Sequence, residues 1–150
     1  MFVWRACRNA LPAVTNLARR GVNVRGACPR CASEEEDVLH SLVRCPFARL
    51  VWVLSDLPWV YISCEHSNPK AWFRRMYYDF DAPAFARALL LCWFLWGARN
   101  RVLFESCSLA APAIMEHIRS WERALSISET VESAYQFRGS NGARFTPTGI

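Results

Sequence analysis

Cys28, Cys31, His40 and Cys45 stand in the spacing C-x2-C-x8-H-x4-C, and no other feature limits this chain as strongly. Three thiolates and an imidazole are a donor set that a tetrahedral zinc ion takes. The flanking residues support that reading. Cys28-Pro29-Arg30-Cys31 predicts a tight turn that points two sulfurs at one centre. Ser33 with Glu36 reads as a capping box, which predicts a helix from Glu34 to Arg44 carrying His40. Pro46 ends that helix, because the residue before a proline avoids α geometry, and so frees Cys45 to turn back toward the ion. Four protein ligands leave no open position, so the expected Zn2+ is structural rather than catalytic. The competing reading, unrelated buried thiols beside a surface histidine, needs two half-motifs to coincide between residues 28 and 45 by chance. Cys7, Cys64, Cys92 and Cys107 lack such partners. Cys64 and His66 are half of a second motif without its other half, and read as a loop. The run Glu34-Glu35-Glu36-Asp37 suits a helix first turn, where acids complement the macrodipole, better than it suits catalysis.

The cysteine count is seven, which is odd and does not fit a secreted disulfide framework. Arg5 and Arg8 interrupt the N-terminus too early for a signal-peptide core. An intracellular chain, nuclear or cytoplasmic, is therefore expected. The longest apolar run, Ala88 to Ala98, falls short of the roughly 20 residues needed to cross a bilayer. It reads as a buried helix, and no membrane partner is expected.

Helix signals dominate, and the fold class expected is mostly α: a small zinc-stabilised helical module followed by a bundle-like helical segment. Pro12 can open a helix that Arg19 and Arg20 close and Gly21 terminates. Pro46 can begin another, to about Leu54, with Phe47, Leu50, Val51 and Leu54 on one face. Asn68 and Pro69 start a short helix to about Phe80; Asp81 and Pro83 open a long one to about Glu105. A last helix carries Ile114, Ile118, Trp121 and Leu125 at core-stripe spacing and fades near Ser133. Val60-Tyr61-Ile62 is a weak strand candidate, and Gly139-Ser140-Asn141-Gly142 reads as a flexible linker. The expected division is a zinc-binding module at 1–54, a helical segment at 55–133 and a tail at 134–150.

Charge singles out the first third. Residues 1–54 hold eight arginines against four acids, whereas residues 55–150 hold ten basic and nine acidic residues. Arginine forks match phosphate geometry. Arg5, Arg8, Arg19, Arg20, Arg25 and Arg30 are the candidate nucleic-acid contacts, with Arg44 and Arg49 in the same excess. Binding of this kind, to RNA or DNA, is salt-dependent and tolerant of sequence. Few aromatics interleave with these arginines, so base stacking is not indicated, and Trp4 and Trp52 are expected in the core.

Several stretches together resemble the reverse-transcriptase zinc-binding domain of plant non-LTR retrotransposons. They are Trp4-Arg5-Ala6, Leu11-Pro12, Asn16-Leu17-Ala18-Arg19-Arg20-Gly21, Cys28-Pro29-Arg30-Cys31, the acidic run, His40, and Cys45-Pro46-Phe47-Ala48-Arg49-Leu50-Val51-Trp52. Trp96-Gly97-Ala98-Arg99-Asn100 through Phe104 is similar to the W-x2-R-N-x3-F segment between that domain and RNase H, and Arg144 to Gly149 to the lead-in before RNase H. The resemblance implies a middle piece of a retroelement polyprotein. Polymerase and RNase H domains are then neighbours and potential partners. The function implied is a non-catalytic accessory module that contacts nucleic acid. The alternative is a structural or protein-interaction module, for which the tryptophans at 59, 72, 93, 96 and 121 supply surface.

An enzyme is not expected. Tyr78-Asp79-Phe80-Asp81 mimics a polymerase signature but lacks adjacent aspartates, and reads as a surface turn and helix cap. Zinc is expected to hold residues 22–54 together, with the C-terminal helices persisting without it.

Overall fold

The computed structural model describes residues 1–24, 26–32, 35–57 and 68–140, with side chains described through Ser126. Among these residues the regular structure is helical. It comprises α1 (Phe2–Cys7), α2 (Val14–Arg19), a π-helical turn (His40–Arg44), α3 (Pro46–Leu54), α4 (Pro69–Asp79), α5 (Ala82–Glu105) and α6 (Ala111–Ser140). One isolated antiparallel bridge joins Ala27 to Glu35. The strand candidate at 60–62 and the Cys64/His66 pair lie outside the described residues.

The caps explain the boundaries. Asn68 Oδ1 accepts from the Lys70 N–H at 2.9 Å, and Asp81 Oδ1 from the Ala84 N–H at 2.9 Å. Each side chain satisfies a donor that the first helical turn leaves without a partner. Pro69 and Pro83 occupy first-turn positions where no N–H is missed. These starts are as the sequence predicts. At the end of α2, Gly21 takes φ +78° while its N–H and that of Val22 bond back to Ala18 and Leu17. That left-handed close suits a residue without Cβ. α2 itself starts at Val14, two residues beyond Pro12. The helix α1 carried no signal that marked it in advance.

Two packing expectations need correction. On α3 the buried face is Ala48, Val51 and Trp52, while Leu50 is exposed. Trp52 sets this rotation: its indole N–H donates to the Leu42 carbonyl at 2.8 Å and its ring meets Trp72 edge-on. On α6, Ile114 and Ile118 are buried, but Trp121 is 50% and Leu125 53% exposed. The core stripe ends with the first of two compact units, which runs from Met1 to Ile118; the second begins at Arg119. The α6 backbone stays helical through Ser140, past the fading of its apolar pattern near Ser133. Residues 141 and 142 of the linker candidate lie outside the described residues.

One core fills the first unit. Cys28, Val38, Leu39, Leu42 and Cys45 belong to the same buried cluster as Trp72, Met76, Leu91, Leu95, Ile114 and Ile118. The π-helical turn packs on both α3 and α5, and α1 packs on α4. The metal-motif segment therefore has no separate core of its own.

Candidate metal centre

Each donor is placed by a local device. In the turn Cys28-Pro29-Arg30-Cys31, the Arg30 N–H points at Cys28 Sγ at 3.4 Å and the Ala32 N–H closes on the Cys28 carbonyl at 2.8 Å. The Ala27–Glu35 bridge closes the loop around the two sulfurs. His40 and Cys45 are joined by one π-type bond: the Cys45 N–H donates to the His40 carbonyl, five residues back, at 2.8 Å. The H-x4-C spacing is thus the length of one π turn, a geometry that recurs at functional sites. Cys45 then takes φ −54°, ψ 133°, an extended conformation imposed by Pro46 as the sequence predicts. Its sulfur sits at the head of α3, facing the N–H groups of Phe47 and Ala48.

The predicted start of the His40 helix is not observed. Helical geometry begins at Val38, and Ser33 and Glu34 lie outside the described residues. Asp37 is the capping residue: its Oδ1 accepts from the His40 N–H at 2.6 Å, and Oδ2 pairs with Arg44. Glu36 has a different task. It is fully buried, and its carboxylate accepts from the Val14 N–H at 3.2 Å. It also takes both arms of the Arg99 fork, Nε at 2.7 Å and the second through a terminal nitrogen. Arg99, only 2% exposed, also lies 4.8 Å from the Trp96 ring centroid and donates to Asn100 Oδ1 at 3.0 Å. The W-x2-R-N segment on α5 is therefore the clamp that fixes the metal loop and the start of α2. The sequence offers the parts but no signal that pairs residue 36 with residue 99.

The donor atoms of Cys28, Cys31, His40 and Cys45 all lie within 4.8 Å of one another, and Cys31 Sγ is 3.3 Å from His40 Nε2. Zinc–ligand bonds of about 2.0–2.3 Å at tetrahedral corners demand donor separations of roughly 3.3–3.8 Å. The constellation fits a single zinc ion with small adjustments. Cys28, His40 and Cys45 are buried and Cys31 is half-buried, so the cluster is closed to substrate. Among the described residues this is the group of histidine, cysteine and acidic side chains that could hold a metal.

A hydrogen bond to Cys45, reinforced by burial, pushes the Cys28 thiol up to about 11. The same bond, given by Cys28, holds Cys45 below the usual thiol value. Hydrogen bonding to Cys28 raises His40 to about 9 against the pull of burial. Below about pH 9 both Cys28 and His40 carry protons that zinc must displace. Log affinity should therefore rise by at least about two per pH unit between pH 7 and 8, and zinc should be lost on acidification. Competition with a chromophoric chelator at stepped pH measures this; an affinity flat with pH would contradict the assigned ligands.

The candidate nucleic-acid arginines divide. Arg5, Arg8, Arg19 and Arg20 are exposed. Arg30 is engaged inside the chain: its fork donates to Ser108 Oγ at 3.0 Å and the Leu109 carbonyl at 2.7 Å, above the Phe47 ring. Arg25 lies outside the described residues. Trp52 is buried as expected, but Trp4 is 55% exposed.

Residues 1–52 match the family model described as zinc-binding in reverse transcriptase, and the match contains all four ligands. Neither the curated proteins nor the solved structures contain a match to the chain. The match of residues 1–52 to that zinc-binding family model and the closed Cys3His cluster together support a structural Zn2+. No helix among the described residues is long and apolar enough to cross a membrane.

Proposed function

We propose that this chain is a non-catalytic zinc-binding accessory module, of reverse-transcriptase type, that contacts nucleic acid through its N-terminal arginines. The observation that carries this is the exposure of Arg5, Arg8, Arg19 and Arg20 on α1 and α2, in a stretch with no acid before Glu34. The buried Asn16 amide ties the two helices together, donating to the carbonyls of Asn9 at 2.8 Å and Leu11 at 2.9 Å. Zinc supplies the rigidity and the arginines the phosphate contacts, with a low preference for sequence.

The test is a salt titration. Each phosphate neutralised adds about 0.7–0.9 to the slope of log affinity against log salt. Arg19→Gln with Arg20→Gln should lower that slope by between about one and two and weaken all sequences alike. If the pair merely closes α2 through the macrodipole, stability falls a little and the slope stays. An unchanged slope in a folded double variant would move the assignment to a protein-interaction module for polymerase or RNase H neighbours. That second reading has its own observation, a cleft of about 250 Å³ lined by Trp93, Phe94, Gly97, Arg101, Leu109 and Ile114.

Catalysis by the Asp79/Asp81 segment is not part of this reading. Asp79 accepts from Arg75 Nε at 2.5 Å and Asp81 caps α5. Purified protein should show no magnesium-dependent extension or cleavage; activity abolished by Asp79→Asn or Asp81→Asn would overturn that expectation.

A further inference from the structure

We infer that Trp4 and Arg8 form a stacking platform for an unpaired base, so that the nucleic acid taken by this module is single-stranded. This rests on the phosphate-binding reading above and names its substrate class. Trp4 is one of the most exposed large apolar side chains on the first unit, in a helix whose other apolar residues turn toward the core. A single exposed indole is ordinary on a surface; what marks Trp4 is the cation placed on its ring.

The Arg8 guanidinium lies over the Trp4 ring, 5.1 Å from its centroid. Such a contact is worth about 0.5–1 kcal/mol at an exposed site, and the part of the indole that stays in water is the surface a second planar group would use. Arg5 is exposed on the next residue. Lys70 comes from α4, which packs on α1, close enough to act on Cys7. Arg19 and Arg20 follow on α2, tethered through Asn16. No acidic residue occurs among the first 33. A partner for this face must match one aromatic ring with the cations Arg5 and Arg8 beside it and Lys70 on the helix packed against α1. A single strand does so with its ordinary chemistry, phosphates on the guanidinium groups and a splayed base on the indole. A duplex presents the phosphates but keeps its bases stacked, so Trp4 would gain nothing from it.

The test uses the full chain loaded with zinc and a labelled oligonucleotide of about 20 nucleotides, single-stranded or as a duplex, with anisotropy as the readout across a salt series. The single strand should bind more tightly than the duplex. Trp4→Ala should weaken the single strand roughly 5- to 150-fold, the range for loss of one base stack. It should leave duplex binding and the salt slope unchanged. Trp4→Phe should keep most of the affinity, because a phenyl ring still stacks. Trp4 is exposed, so both variants should fold, which circular dichroism verifies. Equal losses on both substrates, or no loss on either, would overturn the platform while the salt slope upholds the phosphate contacts. Absence of salt-dependent binding to any substrate would overturn both.

Discussion

Replacing Cys31 by Ser or His40 by Ala should unfold the whole of residues 1–118, not only the loop that holds the ligands. Apparent binding energies of structural zinc sites are about 10–16 kcal/mol, as large as the entire stability of a typical domain. Sequence reasoning confines the damage to residues 22–54 and leaves the later helices standing. The structure gives that confinement no physical basis. Cys28 and Cys45 are packed in the same cluster as Trp72 on α4, Leu91 and Leu95 on α5 and Ile114 on α6. Leu39 and Leu42 flank His40 in sequence and are fully buried in that cluster. When the ligands lose the ion, the π-helical turn loses its anchor and the wall it forms against α3 and α5 opens. The expected result is a single transition, with loss of near-ultraviolet dichroism from the buried Trp52, Trp72 and Trp96 at the same chelator concentration that removes zinc. A variant that lost zinc yet melted at the wild-type temperature would refute the shared-core account. Zinc-loaded wild-type protein should contain one ion per chain; its absence from soluble protein would remove the premise altogether.

The second large effect should come from Arg99. Breaking a buried ion pair by removing one partner typically costs about 3–5 kcal/mol, because the other charge stays buried without compensation. Glu36 is fully buried and Arg99 nearly so, and the pair spans residues far apart in the chain. Arg99→Met should therefore approach that range in urea denaturation, and Glu36→Gln should fall within it. Arg99→Lys should rescue little, since an ammonium cannot make the two parallel bonds of the guanidinium fork. The double variant Glu36→Leu with Arg99→Met should recover much of the loss, because two apolar side chains leave no stranded charge. Additive losses in the double variant would show that the two side chains do not act as a pair. Zinc affinity should fall in both single variants as well. The carboxylate holds the loop between Cys31 and His40, and Thr15 bonds to the Glu36 carbonyl at 3.0 Å.

The zinc ligands and the Glu36–Arg99 pair are built from different kinds of interaction, and a sequence records only the local kind. The metal ligands were legible because their geometry is local. A knuckle needs two cysteines three residues apart, a π turn needs His40 and Cys45 five apart, and Pro46 must sit where it sits. The helix starts at Asn68 and Asp81 were legible for the same reason, since a cap and its N–H lie within one turn. The apolar run Ala88 to Ala98 likewise marked α5, and periodicity marked the buried Ile114 and Ile118 of α6 but not where the stripe ends.

Tertiary structure alone decided the rest. The acidic run looked uniform, and only the packing of α5 turned Glu36 inward to Arg99 while Asp37 took the cap of His40. Arg30 was one of eight similar arginines until the α5–α6 connection placed Ser108 and Leu109 against it. Trp4 and Trp52 have the same hydrophobicity, yet Trp52 found the Leu42 carbonyl and Trp72, whereas Trp4 was left on the surface beneath Arg8. Side-chain identity fixes what a residue can bond to within a turn or two. Which of several equal candidates is buried depends on partners brought from 60 or 80 positions away, and that information exists only once the chain has packed.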